Sequence, residues 1–344
     1  MKKGIIILFA ATLGLAACNN YKKGEGDMLY KIYKSEGKEK IKEGDFVKLN
    51  GIQIIETKTN GDSTLVNTYD QDRPAFFPIS KSLFKGDMAA ALKLMGEGDS
   101  ASFKLNLDSM AKYSGQPKPA SAKTNYATFT VKIEKVLRKK ANEPDSLFEK
   151  DKRAFFETEY KGLIAKNKGT EEAKIKKYIA DNNIKATTSA SGLMYEIKTP
   201  GDAERAAMGD TVMVNYTGRF TSKKSNGKDN VFDTSDEKVA TAAGVHSPMA
   251  KYGPRPIVMG QVVPGFNEGL SMIGKGGKII LVMPSKLAYG ENGGGPINPF
   301  TPLVFEVELT GIKKAKAPVA TAPVAGAPAT TTAVPTAPVA PVKK

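Results

Sequence analysis

The sequence predicts an α+β protein made of two copies of one domain, each mainly antiparallel strands with one short helix, joined by a helical linker. Three observations carry this prediction. Three segments recur in the same order at nearly constant offsets. Apolar residues alternate with a period of two in several segments of each copy. One apolar face at i, i+4 and i+7 follows in each copy.

The recurrence is specific. Gly44-Asp45-Phe46-Val47-Lys48-Leu49-Asn50 parallels Gly209-Asp210-Thr211-Val212-Met213-Val214-Asn215, 165 positions on. Leu92 to Gly98 parallels Leu270 to Gly276, 178 positions on, and Phe129 to Ile133 parallels Phe305 to Leu309, 176 positions on. The copies are therefore placed at residues 28–138 and 190–313.

Each element follows in chain order. Lys2 and Lys3 precede an apolar run from Ile5 to Ala17. Thirteen residues are too few to span a bilayer, which takes about twenty, and they fit a secretory signal over residues 1–17. The run ends in Leu15-Ala16-Ala17-Cys18, which resembles the bacterial lipobox. Cys18 is then the lipidated first residue of the mature chain, and its acyl chains supply a stable membrane anchor. Residues 18–27 are polar and rich in Gly and Lys, and read as a flexible tether.

In the first copy, Met88, Leu92 and Met95 mark the short helix. Residues 139–189 form the linker. Phe148, Phe155, Phe156, Tyr160, Leu163 and Ile164 make an apolar stripe, Gly169 reads as a stop, and Thr170 as the cap of a second helix with Ile175, Tyr178 and Ile179. The stripe implies packing against one or both domains, or else a dimer interface or client-binding helix. In the second copy, Val212, Val214 and Tyr216 alternate, as do Phe305, Val307 and Leu309. Lys278 to Met283 is a mostly apolar strand closed by Pro284, and Phe266, Leu270 and Ile273 mark the helix. Residues 314–344 are almost only Ala, Pro, Val and Thr, a tail that cannot bury a core.

Composition narrows the chemistry. The 344 residues include one Cys, Cys18, one His, His246, and no Trp. An intramolecular disulfide and a Cys/His zinc site are excluded, and any His-dependent triad must use His246. Lys and Arg number 51 against 36 Asp and Glu, a net charge of +15. The lysines are spread along the chain, with no Arg-rich cluster and no basic stripe interleaved with aromatics. The excess reads as a solvated basic surface, then as affinity for phospholipid headgroups, with nucleic acid last.

Five strings of the second copy carry a resemblance: Val214-Asn215-Tyr216-Thr217-Gly218, Val231-Phe232-Asp233-Thr234-Ser235, Gln261 to Leu270, Pro284-Ser285-Lys286-Leu287-Ala288-Tyr289-Gly290, and Leu303 to Leu309. In this order they resemble the FKBP-type peptidyl-prolyl cis-trans isomerases, over about residues 207–313. The resemblance implies a curved antiparallel sheet wrapped around a short helix, with an apolar pocket between them. It implies aromatic pocket walls at Tyr216, Phe232 and Phe305, and a floor at Phe266 where the family usually has Trp. It implies a ligand-binding hydroxyl on Tyr289, a backbone N–H at Val263 with Val262 beside it, a rim carboxylate at Asp233, and an aliphatic contact at Ile297. Without the resemblance, core packing accounts for Tyr216, Phe266 and Phe305, a turn or cap for Asp233, and a strand-end aromatic for Tyr289.

The copy departs from the family pattern in the Lys/Ser/Gly-rich insertion Thr221 to Asn230 and in a long link, Asp236 to Pro254. Arg255 or Ile257 stands near the place of a family aromatic, and Gly293 to Pro299 is Gly-rich. The first copy departs further. Gly51 falls at the place of Tyr216, Met88 at Phe266, Ala111 at Tyr289, and Tyr69-Asp70 is aligned with Phe232-Asp233. It is expected to be a degenerate, non-catalytic domain serving as spacer, client-binding or dimerisation unit.

The expected function is peptidyl-prolyl isomerisation of exported proteins in the bacterial envelope, without a cofactor. The alternative is a non-catalytic proline-peptide binder or holdase chaperone. A third reading is a tethered scaffold that uses the tail. Expected partners are proline-containing exported polypeptides, the membrane through Cys18, and a macrolide such as tacrolimus, with no nucleic acid. A homodimer through the linker stays open. Asn19 and Asn20 after the Cys favour the outer membrane.

Overall fold

The computed structural model describes residues 21–315 apart from 38, 59–61 and 248. The signal segment, Cys18 and residues 316–344 lie outside the described residues. The first sheet contains β1 (Lys22–Lys23), β2 (Leu29–Lys34), β3 (Phe46–Thr57), β4 (Asp62–Asn67), β5 (Ala75–Pro78), β6 (Ser100–Asn106) and β7 (Ala122–Leu137), with α1 (Met88–Leu92) and α2 (Leu107–Ser114) between strands. Helix α3 (Asp145–Asp181) follows. The second sheet contains β8 (Thr187–Thr188), β9 (Met194–Thr199), β10 (Thr211–Phe220), β11 (Val231–Thr234), β12 (Arg255–Val258), β13 (Lys278–Met283) and β14 (Leu303–Lys313), with α4 (Glu237–Ala243), α5 (Pro264–Ser271) and a 3-10 turn (Ser285–Leu287).

The architecture is α+β, as the sequence predicts. The first sheet runs β1-β2-β6-β7-β3-β4 with β5 on β3; the second runs β11-β10-β14-β13-β9-β8 with β12 on β10. Every strand has its counterpart seven strands later. All pairings are antiparallel.

The repeated Gly-Asp pair has a structural cause. Asp45 accepts from the Lys42 N–H at 2.9 Å and the Lys139 N–H at 3.2 Å. Asp210 accepts from the Ala207 N–H at 2.8 Å and the Ala315 N–H at 2.9 Å. Each carboxylate latches the entry to the long central strand to the exit from the last strand. Those backbone donors, with Lys314 beside them, hold the Asp210 carboxyl below the usual carboxylate range. A lowered folded value adds stability above the ordinary Asp pKa of about 3.9, and that stability is lost as pH falls through the folded value. Asp210→Asn is therefore expected to lower the melting temperature at pH 7. The gap from the natural chain should close as the pH drops below about 4. Melting curves at pH 7 and at acid pH check this.

Apolar alternation builds two cores. Val47, Leu49, Leu92, Met95, Phe103 and Ile133 are buried in the first. Val212, Val214, Leu270, Ile273, Leu281 and Leu309 are buried in the second. Helix α5 starts at Pro264, whose missing N–H costs nothing in the first turn, and it buries Phe266 and Leu270.

Two expectations are corrected. Residues 21–27, expected within the tether, are part of the first domain: Lys22 and Lys23 form its first strand and residues 24–27 the turn that follows. Lys22 and Lys23 pair with Tyr30 and Leu29, and the Tyr21 hydroxyl donates to Ser102 Oγ at 2.9 Å. Gly26 serves a tight turn at φ +56°, where a Cβ would stand 2.6 Å from the Lys85 carbonyl oxygen.

The linker is one helix of 37 residues rather than two. Gly169 costs it only about 1 kcal/mol. The Thr170 hydroxyl donates back to the Lys166 carbonyl at 2.8 Å instead of capping. Packing at both ends sustains the helix. Phe155 stands edge-on to Phe46 and Phe76, at 6.3 and 6.1 Å between ring centroids. Ile175 and Tyr178 bury against Val282 and Val304 on the back of the second sheet. The stripe thus meets the first domain and the later residues of the helix meet the second, while Phe156 and Tyr160 stay 41% and 37% exposed.

Candidate functional site

Strands β10 and β14 bring the aromatic candidates together over α5. Phe305 is the hub. Its ring lies 5.2 Å from Phe266 and 5.6 Å from Phe232, both near-perpendicular, and 6.2 Å from Tyr216. Tyr216 also stands edge-on to Phe266 at 6.3 Å. Such edge-to-face contacts add to simple burial. Phe266, Phe305 and Ile297 are buried in the second core, and Tyr216, Phe232, Val262 and Val263 pack against it partly exposed.

Strand β11 places the carboxylate. The Tyr216 hydroxyl donates to Asp233 Oδ2 at 2.6 Å. Burial, and then the Asp233 hydrogen bond and charge, push the Tyr216 phenol well above the usual tyrosine range. Its proton therefore stays in place at neutral pH, committed to Asp233. The Tyr216 backbone is pinned as well. Its N–H donates to Ser235 Oγ at 2.9 Å, and its carbonyl accepts from the Ser235 N–H at 2.9 Å.

Two donors remain uncommitted. The Val263 N–H, just before Pro264, meets no acceptor among the described residues. The Tyr289 hydroxyl likewise makes no hydrogen bond among the described residues, on a side chain 43% exposed. The tyrosine ring rests against Gly294, whose Cβ position is 3.1 Å from Tyr289 Cδ1.

Three supporting residues carried no role in the sequence reading. Asn267 accepts from the Gly260 N–H at 2.8 Å and donates to the Val262 carbonyl at 2.7 Å, so it fixes the loop that presents Val262 and Val263. Ser235 holds Tyr216. Gly218 lies beneath two rings, where a Cβ would come within 2.7 Å of Phe232 and 2.8 Å of Phe305. All three stand inside motif strings or one residue from a candidate, which is the signal that could have found them. Ile257, near the place of the family aromatic, packs partly buried against the second core. Arg255, two residues earlier, has a buried Nε with no hydrogen-bond partner among the described residues.

Among the described residues, the first copy brings no such group together. Strand pairing aligns Thr217 with Thr234 and Gly218 with Asp233 in the second sheet, and Ile52 with Asn67 and Gln53 with Val66 in the first. The Gly51 N–H donates to Thr68 Oγ1 at 2.9 Å, as Tyr216 does to Ser235. Leu65 and Val66 are therefore the counterparts of Phe232 and Asp233. The Tyr69-Asp70 alignment is corrected by four residues.

Residues 202–310 match the family described as FKBP-type peptidyl-prolyl cis-trans isomerase. The FKBP-type isomerase FkpA of Escherichia coli K12 is 35% identical over 164 residues, 44% of this chain and 54% of that protein. The outer membrane protein MIP of Legionella longbeachae is 32% identical over 173 residues, 49% of this chain and 64% of that protein. The chain thus spans between half and two thirds of these relatives' lengths. The crystal structure of Escherichia coli FkpA is similar at 34% identity, covering 52% of this chain and 76% of that one, with a TM-score of 0.38.

Proposed function

We propose that the protein is a peptidyl-prolyl cis-trans isomerase of the bacterial envelope, acting on proline-containing exported polypeptides. The observation that carries this reading is the Phe232–Phe266–Phe305 cluster beside the Tyr216–Asp233 pair, with the Val263 N–H and the Tyr289 hydroxyl left free.

The chemistry needs no bond broken. Peptide-bond rotation faces a barrier of about 18–20 kcal/mol, and X-Pro exchange takes tens to hundreds of seconds unaided. The barrier is amide resonance. Aromatic walls strip water from the proline amide and favour its twisted, less polar form. The Tyr216 proton is held by Asp233, so the groups free to bind peptide carbonyls are the Tyr289 hydroxyl and the Val263 N–H. Asp233 sets the orientation of Tyr216 at the rim. A macrolide such as tacrolimus would occupy the same walls.

Cys18 would anchor the chain by its acyl groups. The relative named an outer membrane protein and the residues after Cys18 both favour the outer membrane. Acyl mass on the natural chain and its absence in Cys18→Ser tests the anchor. The holdase alternative has its own support in the exposed aromatics Phe156 and Tyr160.

The deciding experiment is the exchange rate of a Leu-Pro or Phe-Pro peptide with the chain from residue 19 onward. Clear acceleration is expected. It should fall about tenfold in Asp233→Ala and several-fold in Tyr289→Phe, the range set by one lost hydrogen bond, charged or neutral. No acceleration by the folded chain overturns the enzyme reading and promotes the holdase.

A further inference from the structure

The turn after β4 in the first copy reaches the isomerase domain. Asn67 Oδ1 accepts from the Tyr69 and Asp70 N–H groups at 3.0 and 3.3 Å, which folds residues 67–73 back on themselves. The turn then presents its polar groups outward. Asp70 Oδ1 accepts from the Ser225 N–H at 2.7 Å, and the Asp70 carbonyl accepts from Asn230 Nδ2 at 2.6 Å. The Gln71 carbonyl accepts from Asn298 Nδ2 at 2.7 Å, and Asn67 Nδ2 donates to Ser225 Oγ at 2.9 Å. Asn67, Asn230 and Asn298 are 8%, 5% and 7% exposed, so these amides have little water to replace a lost partner.

Helix α3 braces the same place. Lys166 and Lys174 pair with Asp72 at 2.7 and 3.5 Å, and Asn167 Nδ2 donates to the Pro299 carbonyl at 2.9 Å. The contacted loops flank the candidate site. Asn230 precedes Phe232 and Asp233 by two and three residues, and Asn298 follows Ile297 directly. Phe220, at the start of the insertion, lies 5.0 Å from the Phe232 ring.

We propose that the first domain is a positioning element for the proline site. Its turn at residues 67–73 clamps the insertion 221–230 and the loop 291–300, and so sets how well a substrate peptide fits between Phe232 and Ile297. Asn230 and Asn298 are positioning residues on one side of the clamp, and Asp70 and Asp72 on the other. This assignment rests on the isomerase reading, and it gives both the insertion and the degenerate copy a role.

The test uses the chain from residue 19 onward, in which every described residue is kept. Asp72 is an exposed side chain of the first domain, so Asp72→Lys spares the core and sets three cations against one another. It should raise KM for a Leu-Pro peptide about threefold and leave kcat within about twofold, the size expected for reversing an exposed ion pair. Asn298→Ala should raise KM about fivefold, the scale of one lost hydrogen bond. Backbone hydrogen exchange should quicken in residues 221–230 and 291–300 in both variants, with β13 unchanged. Adding Lys166→Asp and Lys174→Asp to Asp72→Lys should restore both readouts. Unchanged KM and unchanged loop exchange in the two folded variants would overturn the clamp. If the natural chain proves inactive on all peptides, the isomerase reading fails, and loop exchange alone then decides whether the first domain holds these loops.

Discussion

Phe305→Ala is expected to cost about 3–5 kcal/mol of stability in the second domain, the range for emptying a buried aromatic site. Phe305 is 8% exposed, and its ring meets Tyr216, Phe232 and Phe266. Removing it takes away the common partner of three rings, so the cavity opens at the site rather than deep in the core. At about 4 °C per kcal/mol, the melting temperature of this domain should fall by roughly 12–20 °C. Isomerase activity should be lost at temperatures where the variant is still folded, because water then reaches the amide from below. Phe305→Leu keeps much of the volume and should recover most of the stability, but less of the activity. Calorimetry paired with peptide exchange separates the two effects.

Gly218→Val should show the opposite pathology, too much matter rather than too little. A side chain there starts 2.7 Å from Phe232 Cζ and 2.8 Å from Phe305 Cε1, closer than any real contact. Both rings must move apart. Overpacking of this kind costs about 1–3 kcal/mol. The displaced rings are the walls of the proposed site, so activity should fall at least tenfold in a chain that remains folded at 25 °C. Gln53 stands at the matching register position of the first copy, opposite Val66, with Leu65 in place of the aromatic. Gln53→Gly should therefore leave the first domain without any comparable gain.

Period-two alternation made β3, β7, β10 and β14 legible because each buries one face. Helices α1 and α5 were legible from their spacing of four and three residues, while α2 and α4 were not, so each domain carries one short helix more than the sequence predicts. The single helix α3 was not, since Gly169 and Thr170 are genuine stop signals that long-range packing overrides. The start of the first sheet was hidden because Gly24 and Gly26 look alike in a loose tether and in a tight turn. The candidate residues were legible through motif strings. Tyr69-Asp70 was misplaced because β4 is matched to β11 only through strand register, which no local pattern records. The insertion 221–230 read as a departure from pattern, since its partners lie over 150 residues away.

The paired carboxylates Asp45 and Asp210 bear on how the chain was assembled. Asp45 holds the chain at Lys139, where the linker begins, and Asp210 holds it at Ala315, where the tail begins. The two exits are the same joint, used once to attach a helix and a second unit and once to attach a tail. Residue 315 is therefore a ready fusion point: a third module or a cargo protein appended there inherits a junction the first unit already uses, and the sheet, the candidate site and the proposed interdomain clamp all lie upstream of it.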